Sequence, residues 1–151
     1  AVLPMARAQN ADAEILFHAG MIHAKLDDNW DFSDMRRHVV SILSNDQKVL
    51  TIMASTDGPR VPGGQEESFD LRLDRQKDGK YTCTQARWRR SDGDYIEGTC
   101  QVGLTKMTPN DDGPGFDEGT FDALFPKASE IVPGVMRDIK LSRGEFRERR
   151  Q

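Results

Sequence analysis

A chain of 151 residues and 17.0 kDa amounts to about one ordinary domain, and at that size roughly two thirds of the unfolded surface is buried on folding. Hydrophobic residues make up 36% and charged residues 30% of it, with seven Phe, two Trp and two Tyr as anchors, which excludes wholesale disorder. The net charge of -4 and pI near 5.4 exclude nucleic-acid binding by the whole surface; no apolar run approaches the ~20 residues of a helical membrane span, so a soluble chain without a membrane partner is expected.

The N-terminal "AVLPMARAQN" contains Ala6-Arg7-Ala8 before Gln9, the small-residue pattern of a signal-peptidase site. Residues 1–10 are therefore read as a flexible tail or signal-peptide remnant, followed by a single α+β domain over 11–141 and a basic C-terminal tail over 142–151. From Asp12 to Leu26, the residues Ile15, Leu16, Ala19, Ile22 and Leu26 share one helical face, while Phe17 and Met21 make the opposite face apolar too. A second helix is predicted after the N-cap candidate Ser33, carrying Met35, Val39, Val40, Ile42 and Leu43 to about Ser44.

From residue 48 the apolar period falls to two. Strands are predicted over Lys48–Ser55, Ser68–Asp74, Lys80–Arg89 and Asp94–Met107, separated by "DGPRVPGG", "KDG" and "SDGD", and the short connections imply an antiparallel meander. The acidic stretch "TPNDDGPGFDEGT" reads as an exposed loop. Pro126 and Pro133 limit the segment after it to irregular structure or short helical pieces. The predicted architecture is thus α+β: two N-terminal helices, then a roughly four-stranded antiparallel sheet.

Cys83 and Cys100 are the only cysteines. A four-residue "RSDG" loop would pair residues whose numbers sum to 183, placing Cys83 opposite Cys100 at disulfide distance. No CxxC or HxxxH pattern supports a metal or redox pair, so a cross-strand disulfide and an oxidising compartment, secreted or periplasmic, are expected. In that register Trp88 and Tyr95 lie on the face opposite the cysteines. A two-residue Asp78-Gly79 turn, the preferred choice, brings Phe69, Leu71 and Leu73 to the Trp88 face and makes Trp88 and Tyr95 core residues; a three-residue loop would move them to the cysteine face.

Candidate binding residues are Trp88, Tyr95, Arg87, Arg89 and Arg90, a basic hairpin with aromatics. Asp92, Asp94 and Glu97 offset its charge, which disfavours nucleic acid and points to another protein as partner. The acidic loop with Asp111, Asp112, Asp117, Glu118 and Asp122 lacks EF-hand order. His18 and His23 lie five apart and do not project together from one helix. No metal or cofactor is expected. With no G-x-S-x-G, free Cys or H-E-x-x-H, the acid–base pair assembled without a motif is Glu97 with His38. The function read from the sequence is that of a secreted or periplasmic binding protein, effector- or inhibitor-like, without catalytic activity; the alternative is a small secreted hydrolase cutting RNA by general acid–base catalysis. Oligomeric state is left open.

Overall fold

Alternation of buried and exposed side chains governs nearly the whole chain, because each strand lays every second residue on a common core. A computed structural model describes residues 21–26, 30–31, 35–56, 58–59, 62–108 and 115–151. They form nine strands: β1 (Met21–Leu26), β2 (Trp30–Asp31), β3 (Met35–Leu43), β4 (Val49–Thr56), β5 (Ser68–Arg75), β6 (Tyr81–Arg89), β7 (Tyr95–Lys106), β8 (Phe116–Val132) and β9 (Val135–Arg150). No helix occurs among the described residues, so the α+β expectation is wrong: the described fold is all-β.

The four strands predicted between residues 48 and 107 are present as β4 to β7, paired as the antiparallel meander. Their inner residues include Leu50, Ile52, Phe69, Leu71, Leu73, Ala86 and Trp88, all buried.

Both hairpin turns are three-residue loops. Gln76 N–H donates to Lys80 O at 2.7 Å and Arg90 N–H to Asp94 O at 2.9 Å, leaving Lys77–Gly79 and Ser91–Gly93 as loops. Gly79 and Gly93 adopt φ of 85° and 90°, the left-handed position such loops require. The β6–β7 register therefore sums to 184, with Arg89 opposite Tyr95 and Trp88 opposite Ile96, one residue from the expected pairing.

A β-bulge reconciles this shift with the disulfide. On β6 the partner sequence jumps from Gln85, opposite Arg72, to Cys83, opposite Leu73, so Thr84 is an extra residue. Beyond it the phase of β6 changes: Cys83, Ala86 and Trp88 all face the core, where the ladder alone would have split them between faces. Cys83 and Cys100 form the expected disulfide, with Cα atoms 5.7 Å apart. Such closure contributes ~3 kcal/mol in the chain-entropy account.

The two predicted helices are corrected to strands where the chain is described. Over 21–26 Ile22 and Ala24, two apart, are buried and Lys25 after them is half-buried, and β1 pairs with β9; residues 12–20 lie outside the described part. The second predicted helix is β3, whose run of Val39, Val40 and Ile42 suits a strand better than a helix.

The segment expected to be irregular or short-helical is the longest hairpin in the molecule, β8 with 17 and β9 with 16 residues. Pro126 is accommodated because two extra residues of β8 bulge between Phe125, opposite Ile139, and Ser129, opposite Arg137. Residues 142–150, read as a tail, lie in β9.

β9 closes the fold. It pairs antiparallel with β8 along one edge, and on the other with β1 through residues 141–147 and then, in parallel, with β3 at Val40–Arg149 and Ser41–Arg150. The ring β3-β4-β5-β6-β7-β8-β9 is a closed seven-stranded barrel, with β1 and β2 flanking its seam.

A row of aromatic rings occupies the interior: Trp88 lies 5.9 Å from Phe125, Phe125 6.4 Å from Phe69, Phe69 5.6 Å from Phe121 and Phe121 6.4 Å from Phe146. Glycines face them. A Cβ on Gly144 would come within 2.5 Å of the Phe121 ring and one on Gly119 within 2.8 Å of Phe146, so the absence of side chains there admits the row.

Candidate binding surface and buried polar cluster

At the β6–β7 end of the barrel, strand alternation sorts the predicted binding residues into two groups. Trp88 points inward, 6% exposed, and its indole N–H donates to Glu67 Oε1 at 3.0 Å. Its neighbours Arg87 and Arg89 point outward, as do Tyr95 and Glu97 from β7. The register places Arg87 opposite Glu97 and Arg89 opposite Tyr95. Tyr95, expected in the core, is 54% exposed.

The outer group is organised. The Arg87 guanidinium lies 5.0 Å from the Tyr95 ring centroid and 3.2 Å from the Asp70 carboxylate, a stack and an ion pair held on one side chain. Arg89 donates to Glu66 O at 3.0 Å, which spends part of its donor set on the preceding loop. Arg90 pairs with Asp92 at 2.8 Å and also donates to the Ala128 carbonyl on β8. Of the five predicted binding residues the fold thus gathers Arg87, Arg89 and Tyr95 on one outer face, sends Arg90 to its edge, and puts Trp88 beneath it.

Next to this face, the bulge at Thr84 and the end of the β6–β7 ladder at Ala86–Gly98 leave a shallow groove of about 500 Å³. Arg72, Asp74, Thr84, Glu97, Thr99 and Pro126 line it. Hydrogen bonds from Thr84 and then Arg72 hold the Asp74 carboxyl below the usual range. Glu97 borders the groove, but its proposed partner His38 lies in β3 with a side chain outside the described residues, as is that of His23; His18 also lies outside them. The pairing of Glu97 with His38 is therefore not visible in the structure.

At the opposite end of the barrel lies a cluster the sequence reading missed. Asp117 and Glu148 are fully buried and face each other across β8 and β9. Arg150, two residues on, grips Asp117 through both carboxylate oxygens at 2.7 and 2.9 Å. Asp117 also accepts from the Thr108 N–H at 2.8 Å and from the Ser41 hydroxyl.

Neither carboxyl oxygen of Glu148 has a hydrogen-bond partner among the described residues. Burial, and then the charge of Asp117, push this carboxyl well above the ordinary glutamate value of 4.5. Burial thus favours its neutral acid form, beside an ion pair in which Arg150 is already used by Asp117. The signal for this cluster was period-two alternation in "DEGTFDALF" and "EFRERR", where Asp117, Gly119, Phe121 and Phe146, Glu148, Arg150 each share a face.

Because its folded value is raised, Glu148 binds a proton on folding between 4.5 and that higher value. Its contribution is fully present below the unfolded value and is lost as pH rises toward the folded one. Denaturant titrations of wild type and Glu148→Gln, compared from pH 4 to pH 8, should show the variant gaining relative stability as pH rises. A difference that stays flat with pH would mean that Glu148 is ionised in the folded state.

Among the described residues no three His, Cys, Asp or Glu side chains are placed to hold a metal ion. The acidic residues after the loop are spent otherwise: Asp117 in the buried cluster, Glu118 in an ion pair with Arg147 at 2.8 Å. Asp111 and Asp112 lie outside the described residues. No protein-family model, curated protein or solved structure matches the chain.

Proposed function

We propose that the protein is a secreted or periplasmic binding module, effector- or inhibitor-like, that recognises another protein through the outer face of the β6–β7 hairpin. The observation that carries this reading is Tyr95, more than half exposed, with the Arg87 guanidinium over its ring on a sheet fixed by the Cys83–Cys100 bond. Tyr and Arg on a rigid support are the side chains that most often dominate protein interfaces, because they bring contact area and hydrogen bonds at little entropic cost. The aromatic row occupying the interior supports an outward-facing role. The disulfide belongs to an oxidising compartment, and export is the ordinary route there.

A photo-crosslinker at position 95 should capture a partner from the compartment in which the protein works, and one at Asp46 on the far hairpin should not. For the partner so identified, Tyr95→Ala or Arg87→Ala should weaken binding at least tenfold with unchanged melting behaviour. Unchanged affinity in both variants would overturn this assignment of the face. The juxtaposition of Arg87 and Glu97 keeps RNA cleavage as the second reading. The purified protein should leave single-stranded RNA intact; cleavage that disappears in a stably folded Glu97→Gln variant would replace the binding reading with the enzymatic one.

A further inference from the structure

The barrel ladders stop before the β8–β9 hairpin does. β7 accompanies β8 as far as Leu124 and β1 accompanies β9 from Leu141 onward. Between those points the two strands pair only with each other among the described residues, through Phe125–Ile139, Ser129–Arg137, Glu130–Met136 and Val132–Val135. The root is anchored: Phe125, Ala128 and Ile139 are buried, Arg90 donates to the Ala128 carbonyl, and the Lys127 N–H donates to Asp138 at 2.9 Å. The remainder is a two-stranded arm.

Its tip, Ile131-Val132-Pro133-Gly134-Val135-Met136, carries no charge. Val135 is 49% and Met136 47% exposed, and with Leu124 at 39% they are three of the five exposed large apolar side chains among the described residues. Val135 and Met136 are consecutive strand residues and point to opposite faces, so each face of β9 at the tip carries an exposed apolar side chain. An isolated two-stranded ribbon gains little stability of its own, and an apolar tip adds a solvation cost that burial elsewhere would remove.

We propose that this arm docks on an anionic lipid surface, the apolar tip entering the interface while the basic root meets the headgroups. Three features favour a bilayer over a protein pocket. The tip is convex and aliphatic, which a fluid interface accommodates without a preformed cavity, whereas protein anchors are more often Trp, Tyr or Arg. The turn costs little to desolvate, because Val132 pairs with Val135 and Pro133 has no N–H. Lys127, Arg137 and Lys140 are exposed at the root, three cations against the two carboxylates of Glu130 and Asp138 in the sequence. This is surface docking, distinct from the helical span excluded by sequence, and it departs from the expectation of no membrane contact. It stands independently of the Tyr95 face.

Vesicle flotation with the whole chain tests it, using phosphatidylcholine alone and phosphatidylcholine with roughly a third phosphatidylserine. Wild type should float with the anionic vesicles, less so at high salt as the basic contacts are screened. Val135→Asp and Met136→Asp should each reduce flotation at least tenfold with unchanged melting, and a Val135→Trp probe should shift its emission to the blue on mixing. Absence of flotation with either vesicle, or flotation indifferent to both Asp variants, overturns the proposal. So does a wild-type dimer that Met136→Asp dissociates without any lipid binding, which would assign the tip to a second copy of the chain.

Discussion

Asp117→Ala should cost about 3–5 kcal/mol, the usual result of stranding one member of a buried ion pair, and should lower the melting temperature by roughly 10 °C for a domain of this size. The loss arises from what remains: Arg150, 9% exposed, would keep its charge inside the barrel, and the Thr108 N–H and the Ser41 hydroxyl would lose their acceptor, while Glu148, relieved of the Asp117 charge, is still opposed by burial in taking over as the counter-ion. Replacing Asp117 and Arg150 together by Leu and Met should recover most of the stability, since well-packed apolar residues often equal a buried pair. A single Asp117→Ala variant as stable as wild type in denaturant titration would show that the cluster is hydrated and contributes little.

The second large effect is expected at Gly98. A Cβ there would stand 2.1 Å from the Leu124 carbonyl oxygen and 2.8 Å from the Phe125 ring. The obstructing atom is backbone, held in the β7–β8 ladder by the adjacent Thr99–Leu124 pair, so relief requires the wall to part beside the disulfide. Gly98→Ala should therefore destabilise by about 3 kcal/mol, the upper end of ordinary overpacking. Gly103→Ala in the same strand is the control: its nearest atom is the Thr120 hydroxyl at 3.3 Å, on the outer face, and its effect should stay within about 0.5 kcal/mol. Equal effects at the two positions would contradict the close approach at Gly98.

The comparison explains which parts of the fold were legible in the sequence. β4 to β7 are ordinary half-buried strands bounded by Gly-containing turns, and their ends fall within about two residues of expectation. β3 misleads because its pattern is inverted at one point: Ser41 is buried to serve Asp117, while Ile42 is 38% exposed, so the apolar residues do not mark the inner face. β9 hides for the same reason, its inner face ending in Glu148 and Arg150, which look like tail residues until a buried cluster accounts for them. In β8 the deceptive residue is Pro126, tolerated only because the strand bulges around it.

The binding face was half legible. The residue set around the hairpin was right as to neighbourhood, but the side of the sheet turned on two three-residue loops and on Thr84, whose insertion no turn motif announces. A β6–β7 loop one residue shorter than expected moved Tyr95 outside and left Trp88 within.

The seam at β9 has a consequence for how the molecule is made. Residues 40–41 and 149–150 meet in a parallel pairing across more than a hundred intervening residues, so the ring cannot close while the chain is being synthesised until that last strand has emerged. Until then β3 and β8 present open edges, each a template for pairing with another unfinished chain. The nascent protein is thus most prone to aggregate after its hydrophobic strands exist and before its most charged strand arrives. Ribosomes that slow within residues 133–150 would prolong that interval, whereas a delay before residue 48 would not.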